Sequence, residues 1–252
     1  MATSLEIQPE QPVSRTENTG KQIRNTILQA IPESEYSLLR SYLQTVRLEH
    51  QQILFQPNET IEYCYFPNSG MVSMVVVTKE GSSVEVGVVG FEGFVGLPVA
   101  FGFETSPLQA IIQVSPAEAV RIKADTLRRL IGSAPELKVQ LDRFAVIQGA
   151  IVGQLAACNR VHELEPRLAR WLAMSHDRVQ TDTMNLTQEF LSEMLGTARP
   201  SVTLAAGALQ RKGAIEYVRG AIKVQNRELL EQSAGGCYEV IRKYNTAMGL
   251  QA

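Results

Sequence analysis

The sequence is short of several things, and each shortage excludes a class of protein. There are only three cysteines, Cys64, Cys158 and Cys237, far apart and with no CxxC pair. A zinc ribbon or a locally encoded cysteine-ligated cluster is therefore not expected, and reduced thiols fit best. Basic residues are not in excess: 24 Lys and Arg stand against 26 Asp and Glu, a net charge of -2. The whole chain is thus no basic nucleic-acid coat, and any such surface has to be a local patch. The first twenty residues hold no apolar stretch of the kind that directs secretion. No uncharged apolar run reaches the roughly 18 residues of a membrane helix; Phe144–Cys158 comes nearest and carries Gln148 and Gln154. A cytoplasmic protein without membrane contact is expected. No GxGxxG after a strand, Walker loop, HExxH or GxSxG is present, so no enzyme is expected.

What remains is ordinary globular material, 252 residues with 44% hydrophobic and 20% charged residues, enough for one large or two modest domains. Residues 1–22 are polar and read as a disordered arm. Residues 26–46 show helical spacing broken at Pro32, giving two short amphipathic helices. From about 47 to 124 the signal turns to short strands cut by PNE, PNSG and KEGS. TKEGSSVEVGVV reads as a hairpin with Gly81 in its turn. Gly87, Gly90, Gly93 and Gly96, three apart, mark tight corners or close backbone approach. The sum is an all-β roll or jelly roll of about 80 residues. Glu85, Glu92 and Glu104 follow no pairing pattern, and turn or surface roles are expected for them.

Helical spacing returns after Ala124. Ala134-Pro135-Glu136 is a good helix start. Leu137, Leu141, Phe144, Gln148, Ile151, Leu155, Cys158 and His162 alternate at spacings of four and three, a heptad seam. A helix of about 28 residues is roughly 42 Å long, longer than a small roll can cover. These eight residues are therefore expected to form a homodimer interface. The alternative is burial against the chain's own roll. LEPRLARWLAMSHDRV is a further amphipathic helix with Trp171 as a core anchor.

Residues 186–224 carry the functional signal. Thr187 can cap a helix that ends at Gly196 in a left-handed position. A second helix starts with Pro200 in its first turn, buries Val202, Ala205, Ala206 and Leu209, and stops at Gly213. AIEYVRGAIKV then reads as strand, turn and strand. This is a winged helix-turn-helix. Its DNA-facing candidates are Thr187, Gln188, Thr197, Arg199, Pro200, Ser201, Thr203, Leu204, Arg211, Lys212 and Arg219. The leading end of the second helix enters the major groove in this motif, and Arg can donate two hydrogen bonds to guanine. Residues 197–225 hold five basic residues against one acidic, a net +4, whereas residues 1–159 sum to -4.

The order of β-roll, long helix and winged helix-turn-helix resembles the Crp/Fnr family of bacterial transcription regulators. The likeness spans about residues 30–225 and is most specific over LTQEFLSEMLGTARPSVTLAAGALQRKGAIEYVRGAIKV. It implies an α+β chain divided into a sensor roll (23–133), a dimerisation helix (134–163) and a winged helix-turn-helix (164–226); residues 227–252, with Leu229, Leu230, Tyr238, Val240, Ile241 and Tyr244, read as an added helical extension beyond the usual family end. It also implies a homodimer on a two-fold symmetric operator in double-stranded DNA, with RNA polymerase as protein partner and a small-molecule effector. The family's reading helix offers Arg, then Glu, then a second Arg. Arg199 matches the first, while Pro200 and Leu204 replace the others, so the operator should differ from the cyclic AMP receptor type. In cyclic-nucleotide-binding members a Gly-Glu pair holds the ribose and an Arg-Ser pair the phosphate. The matching positions here are Gly96 and Leu97, and Leu108 and Gln109, a degenerate pocket in which a cyclic phosphate meets no cation. No cofactor and no metal are expected. Cys158 and His162 share a helix face and would suit a haem or metal, but filling the seam accounts for both. His50 and His176 read as surface or loop residues and Cys64 as a core strand residue. The competing readings are a ligand-binding or protein-interaction module whose winged helix does not bind DNA, and a haem or gas sensor.

Overall fold

The computed structural model describes residues 15–16, 20–79, 81, 83–179, 181–218 and 220–249. Two short helices, α1 (Thr26–Ala30) and α2 (Glu33–Arg40), precede a curled antiparallel sheet. Its strands are β1 (Gln44–Leu48), β2 (Ile53–Phe55), β3 (Tyr63–Val77), β4 (Ser83–Val89) and β5 (Gln109–Lys123), in the order β1-β5-β3-β4 with β2 also on β5. A short helix, α3 (Leu97–Ala100), sits between β4 and β5, and α4 (Ala124–Leu130) follows. Then come the long helix α5 (Pro135–Val161) and α6 (Leu164–Val179). The C-terminal part holds β6 (Thr183–Asn185), α7 (Gln188–Leu195), α8 (Arg199–Arg211), β7 (Ile215–Val218), β8 (Ala221–Val224), α9 (Arg227–Ala234) and α10 (Gly236–Thr246).

The roll is made of fewer and longer strands than the turn residues suggest. Pro67-Asn68-Ser69-Gly70 lies inside the fifteen-residue β3 and is no turn. The register against β5 slips three times between Pro67 and Val72, so the segment is a bulged corner that bends one strand around the core. Gly70 has φ +75°, and a Cβ there would stand 2.6 Å from the Ala117 Cβ. Gly81 turns the β3–β4 hairpin with φ +83°. Leu43 and Val46, which extend the helical pattern of residues 26–46, fall outside α2, Val46 in β1.

The arm is corrected where it is described. Arg15 is buried, its guanidinium donates to the carbonyls of Leu28 and Ile31, and it covers the Tyr36 ring at 4.9 Å. The amide of Ile23 donates to the Arg15 carbonyl at 2.8 Å, and Thr16 bridges Gln22. Residues 1–14 and 17–19 of the expected arm lie outside the described residues.

The long helix begins at Pro135, as its start signal implies. The Glu35 carboxylate of α2 accepts from the amides of Glu136 and Leu137 at 3.0 and 2.9 Å, placing an anion on the helix N-terminus. The heptad seam requires correction. Leu137, Leu141, Phe144, Ile151, Leu155 and Cys158 are buried within the single chain, Gln148 and His162 are half-buried, and Ile147 joins them. The six buried side chains are already covered by the chain's own elements, so only Gln148 and His162 keep surface that a second copy could meet. The expectation assumed that the helix outruns the roll. Instead β4, α1 and α3 pack on α5, and α10 packs on it as well. The opposite face of α5 is open, with Val139, Val146, Val152 and Val161 exposed beside Gly149, Gly153, Ala156 and Ala157. Among the described residues α5 is also the one helix whose length and composition would cross a membrane; its seam face is covered by protein.

Candidate nucleic-acid interface and effector pocket

The helix-turn-helix forms as its local chemistry dictates. The Thr187 hydroxyl accepts from the Phe190 amide at 3.1 Å and caps α7. Gly196 closes α7 with φ +58° and ψ +48°, and the Thr197 amide donates to the Ser192 carbonyl at 2.9 Å. Ala198 then precedes α8, with Arg199 and Pro200 as its first two residues. Val202, Ala205, Ala206 and Leu209 are buried, which fixes the roll of α8 about its axis. Arg199, Pro200, Thr203, Leu204 and Arg211 consequently face solvent on one stripe, with Ser201 and Thr197 half-buried at its leading end. Leu204 is 75% exposed, an unusual position for leucine unless an apolar group meets it. The wing is the β7–β8 hairpin, with Gly220 at φ +82° in its turn. Arg219 lies outside the described residues. Sequence reading gives the wing two strands; β6 adds a third on β8.

Two of the predicted basic residues already have acidic partners. Lys212 pairs with Glu165 of α6. The Arg199 guanidinium lies 3.7 Å from the Glu189 carboxylate of α7, both well exposed. Glu189 is not among the DNA-facing candidates of the sequence, and nothing in its spacing from Arg199 places it across the turn. An exposed pair of this kind contributes little, about 0–1 kcal/mol, so Glu189 can hold Arg199 ready without locking it.

Of the four degenerate-pocket residues, three come together. Gly96, Leu97 and Leu108 line a cavity of about 230 Å³ beneath the roll, with Phe94 and with Phe144 and Gln148 of α5. None of the described lining residues is charged. Gln109 points elsewhere and donates to Gln56 at 2.7 Å. The glycines of this stretch act by close approach. A Cβ on Gly96, which has φ +106°, would meet the Cys64 sulfur at 2.8 Å, and one on Gly93 would meet the Phe144 ring at 2.6 Å. Cys64 itself is buried on β3, and burial pushes its thiol up to about 12.

The acids of the roll are misjudged by sequence. Glu104 is exposed, but Glu92 is buried and pairs with Arg178 of α6 at 2.8 Å. The Trp171 indole donates to Glu85 at 2.7 Å, and Ser73 donates to its other oxygen. Burial raises the Glu85 carboxyl to about 7, against the lowering effect of those hydrogen bonds and of Arg178 and Arg170. Both contacts join the roll to the first helix of the DNA-binding part. The signal that could have found them is a lone acid in an apolar or glycine-rich run, Val84-Glu85-Val86 and Phe91-Glu92-Gly93.

The comparisons agree with this geometry. A family model described as a cyclic nucleotide-binding domain matches residues 45–134, and one described as a Crp-like helix-turn-helix domain matches residues 166–233. The chain is 24% identical over 220 residues to the CRP-like cAMP-activated global transcriptional regulator of Mycobacterium tuberculosis, covering 84% of this chain and 97% of that protein. Among solved structures, FixK2 of Bradyrhizobium japonicum aligns with a TM-score of 0.64 at 16% identity, over 77% of this chain and 98% of that one. A CRP-family transcriptional regulator of Thermus thermophilus aligns with a TM-score of 0.62 at 19% identity, over 76% of this chain and 97% of that one. With roll and helix-turn-helix matched in the same order, the chain belongs to the Crp/Fnr family of DNA-binding transcription regulators.

Proposed function

We propose that the protein works as a homodimer that reads a two-fold symmetric operator with α8 of each copy, under the control of a small apolar effector. The observation that carries the reading is the solvent-facing stripe of α8, with Arg199 at its leading end and Leu204 one turn on. Arg199 offers the bidentate donor for guanine, and Leu204 an apolar surface for a thymine methyl. The open face of α5 supports pairing: exposed valines beside glycine and alanine let a second α5 approach closely. That face replaces the buried seam as the proposed interface. The cavity supports an effector different from that of the mycobacterial relative. Leu97 and Leu108 are apolar where a cyclic nucleotide needs an acid and a cation, and buried phosphate without a partner is costly. Phe144 and Gln148 line the cavity from α5, so a ligand there bears directly on the helix that sets the distance between the two reading helices. Action on chromosomal DNA implies the cytoplasm, and RNA polymerase as the protein partner.

Selection of bound sequences from random duplex DNA tests the reading. The expected product is a palindrome with half-sites about 34 Å apart. Arg199→Ala should lose preference at one symmetric base pair, by about 1–3 kcal/mol or roughly 5–150-fold. A uniform few-fold loss with unchanged preference would remove Arg199 from base reading; selection of asymmetric or unrelated sequences would remove the operator model.

A further inference from the structure

Cys158, His162 and Cys237 are scattered in sequence, yet one ligating atom of each lies within 4.8 Å of the other two. Cys158 comes from the last turn of α5, His162 is the residue just past that helix, and Cys237 is the second residue of α10. The helix-turn-helix match ends at residue 233, so the third member is supplied by an element beyond the matched domain. Both cysteines are buried and unbridged, and His162 is half-buried.

We propose that Cys158, His162 and Cys237 bind one thiophilic divalent ion, zinc by preference, with a fourth position left to solvent or a small ligand. The donor set is two thiolates and an imidazole, which suits a four-coordinate zinc site. With Zn–S near 2.3 Å and Zn–N near 2.0–2.1 Å, tetrahedral ligands stand roughly 3.5–3.8 Å apart. The observed cluster, within 4.8 Å, therefore needs to contract by about 1.0–1.3 Å at most, within the reach of side-chain rotation. The surroundings point the same way. Arg170 is buried and lies against the Cys158 thiol, and its Nε and Nη1 have no hydrogen-bond partner. A buried guanidinium is expensive without an anion. The Cys158 sulfur supplies one only as a thiolate. A metal ion replaces the proton on each sulfur, releases two protons to solvent, and leaves a thiolate facing Arg170. The two thiolates cancel the charge of the ion, so the site as a whole is no more cationic than before. Gln154 donates to the Cys237 sulfur at 3.2 Å and would orient that ligand. The ion would tie α5, the link to α6 and α10 together at the joint between roll and DNA-binding domain. Binding of the ion does not depend on which operator is read.

The test uses the full chain, reduced and stripped of metal, titrated with Co²⁺ in oxygen-free buffer. One Co²⁺ per chain is expected, with a thiolate-to-cobalt charge-transfer band and the visible bands of four-coordinate cobalt, two protons released, and displacement by Zn²⁺. Cys237→Ser and His162→Ala should each weaken binding by more than the 10–100-fold that loss of an outer partner costs. Circular dichroism of the metal-free variants should match the parent, which separates lost ligation from lost folding. Absence of the charge-transfer band overturns the proposal, as does wild-type titration by both variants. A metal-indifferent protein that loses two of its three thiols to a Cys158–Cys237 disulfide in air would overturn it in favour of a redox pair.

Discussion

The Glu92–Arg178 pair is the place where one atom's change should be felt most. Both side chains are essentially without solvent, at 2% and 0% exposure. One oxygen of Glu92 accepts from Arg178 Nε at 2.8 Å and from the Gly90 amide at 3.2 Å, while Arg178 Nη1 donates to the Met174 carbonyl at 2.8 Å. Glu92→Gln keeps the shape and removes the charge, leaving a buried guanidinium uncompensated. Losing one partner of such a pair costs about 3–5 kcal/mol, a large part of the roughly 5–15 kcal/mol that holds a typical domain folded. The other Glu92 oxygen lacks a hydrogen-bond partner, while Arg178 Nη2 lies 2.8 Å from the same oxygen that Nε already engages, so the pair is imperfectly satisfied. Replacing both at once, as Glu92→Leu with Arg178→Met, should therefore recover most of the loss. Trp171 is the chain's single tryptophan and sits about two turns before Arg178 on the same helix, bonded to Glu85 of the roll. Its emission during urea unfolding reads the junction directly. A Glu92→Gln loss under about 1 kcal/mol, or a double variant worse than either single one, would refute the reasoning.

Three further outcomes follow from other contacts. The Glu85 carboxyl is raised from its ordinary 4.5 to about 7, so the folded state binds its proton more tightly than the unfolded chain. Stability from this group is full below about 4.5 and lost as pH rises towards 7, by at most about 3 kcal/mol before solvent screening; Glu85→Gln should flatten that slope in denaturant midpoints measured from pH 5 to 8. Gly93→Ala drives a methyl into the Phe144 ring and should cost about 1–3 kcal/mol, read as a lower melting temperature that Phe144→Leu partly restores; an unchanged melting temperature contradicts the packing. Val146→Asp puts a charge at the centre of the open α5 face, where Val146 is 73% exposed; sedimentation should show single chains with intact secondary structure and weak operator binding, and an undisturbed dimer would move the interface elsewhere.

The helix-turn-helix was legible because its signals are local. Thr187, Gly196, Pro200 and Gly213 each enforce a backbone state within a few residues of themselves, and each takes the position its chemistry demands. The roll was legible as a class but not in its strands. Pro67 and Gly70 carry turn chemistry, and only pairing with β5, some fifty residues on, shows that they bend a strand and do not end it. Glu85 and Glu92 were misread for a related reason. An acid's partner can lie anywhere in the chain, and Trp171 and Arg178 lie 86 residues away from them.

The α5 helix marks the boundary between these two kinds of knowledge. Its period of apolar residues correctly identifies a face that must be buried, since hydrophobic burial has no direction of its own. The same period carries no label for the surface that does the burying. Here the cover comes partly from the roll and partly from α10, and the sequence of α10 gives no sign of where it docks. With the seam filled largely from within, the proposed second copy meets the other face, where no large apolar stripe exists to announce it. Small residues announce contact only by what they permit, a close backbone approach, and this is why the seam stands out in the sequence while Gly149, Gly153 and Ala157 do not. The residues that fill the chain's own core and the residues proposed to join it to a twin thus sit on opposite sides of one helix, and periodicity alone selects the first.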